Sequence, residues 1–129
     1  MSAVITGASR GIGLELCRQL GHKDASSYPT IYALCRKPSP ELTALAQDNP
    51  KVSIVPNINV TSATVGSDLS QALQGVTIQL LIHNAGAYGP NEDFASASEM
   101  YASQTLENVT LERLNYAMQL NAFSPLMIT

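Results

Sequence analysis

Short apolar runs alternate with longer amphipathic segments along most of the chain. The apolar runs at residues 3–6, 30–34, 52–55 and 79–82 predict four β-strands. Between them, apolar side chains recur every three or four positions at residues 11–20, 40–47 and 67–74, which predicts three helices. We expect the first helix to bury Ile12, Leu16 and Leu20. Strands that alternate with helices are typical of a parallel sheet with crossover helices, so we expect a single α/β domain.

The last third of the chain has a different pattern. Residues 87–109 are small and polar without periodicity, which predicts a long irregular connection. Thr110 then caps a predicted helix that continues to residue 129. Asn121 is a polar residue on the apolar stripe of this helix and therefore needs a partner. Pro125 has no N–H to donate to the carbonyl of Asn121, so we expect that carbonyl to be free. The stripe consists of Leu111, Leu114, Met118, Asn121, Pro125 and Ile128.

Composition and charge exclude several classes of function. A chain of 129 residues with 45% apolar and 13% charged residues is long enough for one hydrophobic core. The formal net charge of −3 and the pI of about 5.2 give no basic patch, so we do not expect a nucleic acid partner. The sequence contains no apolar run near the roughly 18 residues of a membrane span and no signal-peptide pattern, so we expect a cytoplasmic protein without a membrane partner. Cys17 and Cys35 fit neither a disulfide framework nor a metal site, and we expect buried, reduced thiols.

A glycine-rich turn joins the first strand to the first helix. Residues 6–13 have the sequence TGASRGIG, in which Gly7, Gly11 and Gly13 follow a G-x-x-x-G-x-G spacing. Such a turn directs the first N–H groups of a helix, and the positive end of its dipole, toward the carboxyl end of the strand. A phosphate group is the natural ligand of that position. A tight strand-to-helix connection with no ligand would have the same spacing, so the turn alone does not decide the function.

Three features together resemble the N-terminal half of a short-chain dehydrogenase/reductase. They are the glycine turn, the Asn84-Ala85-Gly86 triplet behind the fourth strand and Asn121 in the last helix, and their order and spacing cover essentially the whole chain. Within that family, residues 6–16 and 33–38 are most similar to the sniffer and C-factor-like carbonyl reductases. The resemblance implies a Rossmann fold, a doubly wound parallel α/β sheet with strand order 3-2-1-4. It also implies a nicotinamide cofactor that exchanges hydride with a carbonyl or alcohol carbon.

The resemblance also assigns a site. In a sheet of that order the loops behind the first and fourth strands face each other across one crevice, where a dinucleotide binds. Asn59 and Val60 would contact the adenine, although the family usually has Asp at the first of these positions. Asn121 is the catalytic residue that the resemblance assigns, since its backbone oxygen would hold a water in a proton relay. The expected cofactor-binding residues are Gly7, Ser9, Arg10, Gly11, Ile12, Gly13, Arg36, Asn59, Val60, Asn84, Ala85 and Gly86.

The residues behind the second strand bear on the choice of cofactor. A site for NAD usually has a carboxylate there, which accepts a hydrogen bond from the ribose 2′-hydroxyl. This chain has Arg36 instead, and Arg10 could converge on the same place, so we expect NADPH to be preferred over NADH. Two solvated surface arginines are the alternative. A methyltransferase-like nucleotide binder is disfavoured, because that fold usually has an acidic residue at this position.

The chemical groups that the family uses for proton transfer are missing from these residues. The family combines a Ser with a Tyr-x-x-x-Lys pair, and none of the five tyrosines here has a Lys four positions later. We therefore expect residues 1–129 to be a dinucleotide-binding domain that ends before the catalytic region. Two functions remain open. One is the NADP-binding half of an oxidoreductase for a small carbonyl substrate, and the other is a non-enzymatic dinucleotide-binding or assembly module. The open edge of the fourth strand makes a homo-oligomer possible.

Overall fold

A computed structural model describes residues 1–22, 27–89 and 97–129. The strands are β1 (Ser2–Thr6), β2 (Thr30–Leu34), β3 (Val52–Val55) and β4 (Ile78–Ile82). The helices are α1 (Gly11–His22), α2 (Pro40–Asp48), α3 (Val65–Ala72), α4 (Ala97–Ser103), α5 (Leu111–Met118) and α6 (Ser124–Ile128). A 3₁₀ turn (Leu106–Asn108) precedes α5, and a π-helical turn (Gln119–Phe123) joins α5 to α6.

The four strands form one parallel sheet in the order β3-β2-β1-β4, which confirms the predicted Rossmann topology. Val4 in the middle of β1 pairs with Tyr32 on one side and with Leu81 on the other. Every residue of β1 is buried, as expected for the strand that lies between two neighbours and two helical layers. All four carboxyl ends lie at the same edge of the sheet, because the strands are parallel.

Alternating residues of β1 enter two separate cores, one on each face of the sheet. Ala3 and Ile5 pack on the side of α1 and α2, where Cys17 and Leu42 are fully buried. Val4 belongs to the core on the opposite face, together with Leu34 and Val65. Ile128 at the end of α6 packs against this second core. This two-sided burial explains why β1 and β2 consist of continuous apolar runs.

The predicted buried face of the first helix is wrong at one position. Ile12 is 75% exposed, while Leu14, Cys17 and Leu20 are buried. The reason is Gly13, which is buried against the glycine turn and so fixes the rotation of α1 about its axis. A pattern that counts only large apolar residues gives a glycine no weight, and it therefore placed Ile12 inside.

The structure also revises the long connection predicted for residues 87–109. It contains the short helix α4 and the 3₁₀ turn, and residues 90–96 lie outside the described part of the chain. Tyr101 is 67% exposed and Leu106 is 88% exposed. A helix of 7 residues whose large apolar side chain lies outside the core leaves no periodic signal in the sequence.

The predicted final helix contains an interruption. The backbone N–H of Ser124 donates to the carbonyl of Gln119, five residues earlier, and this bond marks a π-turn between α5 and α6. Much of the predicted apolar stripe is exposed, including Leu114 at 52% and Met118 at 49%. No helix among the described residues is long and apolar enough to cross a membrane.

We predict that the chain associates with itself through the open side of β4. Within the described residues β4 pairs only with β1, and Ile78 on β4 is 44% exposed. Unpaired strand edges beside apolar side chains recruit other chains. Size-exclusion chromatography with light scattering should therefore give a mass above the 13.7 kDa of one chain.

The substitution Ile78→Lys should shift this protein toward the monomer, because a charged side chain on an edge strand opposes pairing. Leu106→Lys is the matched control, since Leu106 is 88% exposed in the 3₁₀ turn and belongs to no strand. A monomeric wild-type chain, or an equal effect of both substitutions, would contradict the prediction.

Candidate functional site

A cavity of about 830 Å³ lies at the carboxyl edge of the sheet. Its walls come from the turn behind β1 and from the segments that follow β2, β3 and β4. The cavity brings together ten of the predicted site residues: Gly7, Ser9, Arg10, Ile12, Arg36, Asn59, Val60, Asn84, Ala85 and Gly86. Gly11, Gly13 and Asn121 are not among the residues that line it. Sequence reasoning did not identify Leu34, Cys35, Lys37, Ile58, Thr61, Ala87, Gly89, Tyr116 and Leu120, which complete the wall.

The three glycines of the turn differ in their physical roles. Gly7 has a φ of +66° and Gly11 a φ of +57°, both in the left-handed region that favours glycine. A Cβ at Gly11 would have no heavy atom within 4 Å, so the space beside this residue is open. A Cβ at Gly13 would overlap the carbonyl oxygen of Gly7 and lie 2.5 Å from Nδ2 of Asn84. Gly13 therefore allows α1 to approach the turn, which is a packing role.

The hydroxyl of Thr6 joins the turn behind β1 to the segment behind β4. Its Oγ1 accepts hydrogen bonds from the backbone N–H groups of Asn84 and Ala85, each at 3.0 Å, and donates to the carbonyl of Ile82 at 3.5 Å. Nδ2 of Asn84 donates in return to the carbonyls of Thr6 and Gly7, both at 3.1 Å. Thr6 is only 1% exposed. The sequence signal that could have identified Thr6 is a hydroxyl residue directly after the apolar run Ala3-Val4-Ile5.

Asn121 holds the far end of the same segment. Its Oδ1 accepts from the backbone N–H of Ala87 at 3.0 Å, and its Nδ2 donates to the carbonyl of Ala87 at 2.8 Å. Asn121 is exposed, and the polar partner that its side chain has is the backbone of Ala87. Asn121 lies within the π-turn, a feature that is common at functional sites. The role of its backbone oxygen in a proton relay stays a prediction.

Two predicted ligand residues use their side chains within the protein. The hydroxyl of Ser9 donates to the carbonyl of Lys37 at 2.9 Å. Oδ1 of Asn59 accepts from the backbone N–H of Thr61 at 3.2 Å and from its hydroxyl at 2.8 Å, which is an Asx turn. The expected bond from an adenine amino group to Asn59 would have to share this oxygen. Both residues nevertheless line the cavity.

Positive charge collects at the β2 end of the cavity. Arg10, Arg36 and Lys37 are exposed and line it together. In the described ranges the ion pair observed is Glu15 with Arg18 on α1, and no carboxylate pairs with the three cavity cations. The cations are therefore available to an anion.

The cavity offers no activated thiol. Cys17 and Cys35 are free and buried, as predicted. Burial raises the pKa of Cys17 to about 12, with a further contribution from the nearby Cys35, and burial also raises the pKa of Cys35. Both thiols stay protonated at neutral pH and are poor nucleophiles. Among residues 1–22, 27–89 and 97–129, no cluster of three His, Cys, Asp or Glu side chains could hold a metal ion.

Comparison with known proteins gives a consistent result. The family model for short chain dehydrogenase matches residues 1–129. The short chain dehydrogenase penD of Penicillium thymicola is 30% identical over 132 aligned positions, which cover 98% of this chain and 44% of that protein. The chain therefore spans about half the length of the curated relatives that it matches.

Solved structures with a similar fold include two carbonyl reductases. The NADPH-bound enzyme from chicken fatty liver has a TM-score of 0.72 and 30% identity, over 98% of this chain and 48% of that one. The Pseudomonas aeruginosa PAO1 enzyme in complex with NADP has a TM-score of 0.76 and 28% identity, over 99% of this chain and 53% of that one.

We predict that the hydroxyl of Thr6 is essential to this edge of the sheet. Thr6→Val keeps the shape of the side chain but leaves the N–H groups of Asn84 and Ala85 without their acceptor. The expected loss in unfolding free energy is about 2 to 6 kcal/mol, because each of the two unsatisfied donors costs about 1 to 3 kcal/mol. Thr6→Ser retains the acceptor and should lose only about 1 kcal/mol for the missing methyl group. Urea unfolding measures both, and equal losses in the two variants would show that the hydroxyl is dispensable.

Proposed function

Since the chain belongs to the short-chain dehydrogenase family, we propose that it is the NADP-binding half of an oxidoreductase that acts on a carbonyl or alcohol substrate. The observation that carries this proposal is the cluster of three cations at the β2 end of the cavity, which have no carboxylate partner within the described part of the chain. The cofactor-binding domain would comprise residues 1–129. Substrate and catalytic proton donor would depend on a further part of the protein, because the chain spans about half the length of its relatives.

The residues present fit a dinucleotide. A cavity of about 830 Å³ lies within the range of roughly 300 to 1,000 Å³ that is usual for ligand sites. The positive φ of Gly11 and the open space beside it leave room for a pyrophosphate at the start of α1. The N–H groups of the first helical turn and the helix dipole would stabilise its negative charge.

The preference for NADP is supported by residue type. The segment behind β2 reads Cys35-Arg36-Lys37, without a carboxylate to accept from a ribose 2′-hydroxyl. A guanidinium group donates two parallel hydrogen bonds to a phosphate, so Arg36 and Arg10 suit the additional 2′-phosphate of NADP. Lys37, which sequence reasoning omitted, would add a third positive charge.

The other end of the cavity would receive the nicotinamide ribose. Ala85 and Gly86 keep this wall low, and Asn121 fixes the wall through the peptide groups of Ala87. When bound, the nicotinamide cofactor supplies the hydride. The residues of this chain would bind and orient it, and we propose that Asn121 acts mainly by positioning the wall, with its backbone oxygen as the predicted water ligand.

A second function is favoured by one specific observation. None of the five tyrosines in the sequence has a Lys four positions later, which the family uses for proton transfer. This favours a non-enzymatic dinucleotide-binding or assembly module. The mass of the natural polypeptide separates the two proposals. A product about twice as long as this chain, as in its relatives, supports the oxidoreductase half. A natural product of this length supports the module.

We predict that NADPH binds at least about tenfold more tightly than NADH, a difference of about 1.4 kcal/mol. Fluorescence titration of both nucleotides measures this ratio. Arg36→Ala should remove most of the preference by weakening NADPH alone. Arg18→Ala is the matched control, because it removes the same charge from α1 outside the cavity lining. Equal dissociation constants in the wild type, or unchanged NADPH affinity in Arg36→Ala, would refute the assignment.

We also predict that the chain alone oxidises no NADPH in the presence of aldehydes or ketones. A positioned general acid contributes about 10² to 10⁴ in rate, and no Tyr-x-x-x-Lys pair is present to supply it. The measurement is the loss of NADPH absorbance over a panel of carbonyl compounds, with buffer as the reference. Turnover by the purified chain would mean that a proton donor exists within these residues.

A further inference from the structure

Two serine hydroxyls connect the glycine turn to the segment between β2 and α2. Oγ of Ser39 donates to the carbonyl of Ser9 at 2.6 Å, and Oγ of Ser9 donates to the carbonyl of Lys37 at 2.9 Å. The two bonds run in opposite directions across the same gap. Each segment therefore holds the other, and we refer to Ser9, Lys37 and Ser39 as the serine clamp.

The Ser39 side of the clamp is unusually stiff. Ser39 lies between Pro38 and Pro40, and a residue that precedes proline is restricted to extended conformations. Its φ of −82° and ψ of 162° fit that restriction. Its hydroxyl also caps α2 by accepting from the N–H of Leu42 at 3.1 Å. The glycine turn is thus attached to a fixed point.

The serine clamp fixes the orientation of the peptide bond between Ser9 and Arg10. A peptide bond is planar and trans, so the carbonyl of Ser9 and the N–H of Arg10 point in opposite directions. A carbonyl held toward Ser39 turns the Arg10 amide away from the β2–α2 segment. On the other side, the carbonyl of Lys37 is held by Ser9. The backbones that carry Arg10 and Lys37 are therefore fixed relative to each other.

We infer that Ser39 is a positioning residue for cofactor choice. It fixes the backbone at Arg10 relative to the segment that carries Arg36 and Lys37, so that the three side chains bind one 2′-phosphate. The inference rests on the proposed NADP preference. Ser39 need not touch the nucleotide, since it is not part of the cavity lining. Loss of its hydroxyl should harm the binding of NADPH and leave the binding of NADH nearly unchanged, because NADH lacks the group that the three cations would share.

The test is calorimetric titration of NADPH and NADH on Ser39→Ala, Ser39→Gly and Ser39→Thr in the 129-residue chain. Ala and Gly should weaken NADPH about fivefold and NADH less than twofold. Gly tolerates the N-cap position at a cost of only a few tenths of a kcal/mol, so it separates the clamp from helix capping. Thr retains the hydroxyl and should preserve the wild-type ratio.

Thr110→Ala is the matched control for the loss of a helix cap, because Oγ1 of Thr110 caps α5 far along the chain by accepting from the N–H of Arg113. It should leave the ratio of the two dissociation constants unchanged. One contrary result is a wild type that binds NADPH more tightly while Ser39→Ala and Ser39→Gly keep the wild-type ratio of dissociation constants, or weaken both nucleotides equally. That result would refute the role of Ser39 and leave the proposed NADP preference intact. A wild type that does not discriminate overturns the proposed cofactor and the inference together.

Discussion

The carboxyl edge of the sheet depends on close approach to the carbonyl oxygen of Gly7. Gly13 brings the start of α1 against this oxygen at a distance that no Cβ would permit, and the side-chain amide of Asn84 donates to it. Gly7 itself faces Ala85 so closely that a Cβ would lie 2.8 Å from its Cα. A helix and two loops thus meet at one backbone atom. The helix and the loops can approach one another this closely because Gly7 and Gly13 have no Cβ.

Much of this architecture was predictable from the sequence because it rests on strong, local signals. The continuous apolar runs of β1 and β2 reflect burial on both faces, and the glycine spacing reflects the positive φ of Gly7 and Gly11. The strand order brings the segments that carry Arg10 and Arg36 to the same edge of the sheet. A parallel sheet collects everything that follows its strands at a single edge.

The features that escaped prediction depend on tertiary contacts. The rotation of α1 is set by Gly13, which no hydrophobic pattern detects, and Ile12 consequently faces out. The π-turn near Asn121 and the hydroxyl contacts of Ser9 and Ser39 join residues through geometry that sequence spacing does not encode. The Asx turn at Asn59 is different, because it is a local contact with Thr61 that was not predicted, and it uses the oxygen that was assigned to a ligand.

The cavity wall behind β4 is fastened at both of its ends. Thr6 holds Asn84 and Ala85 at the start, and Asn121 holds both peptide groups of Ala87 at the finish. Between these anchors there is no spare length, so one residue more or less would detach one of them. We therefore expect an inserted or deleted residue to cost more stability in this short wall than in the loop that follows Ala87. The wall behind β4 thus acts as a ruler of set length, because its two anchors measure out the chain between Thr6 and Asn121.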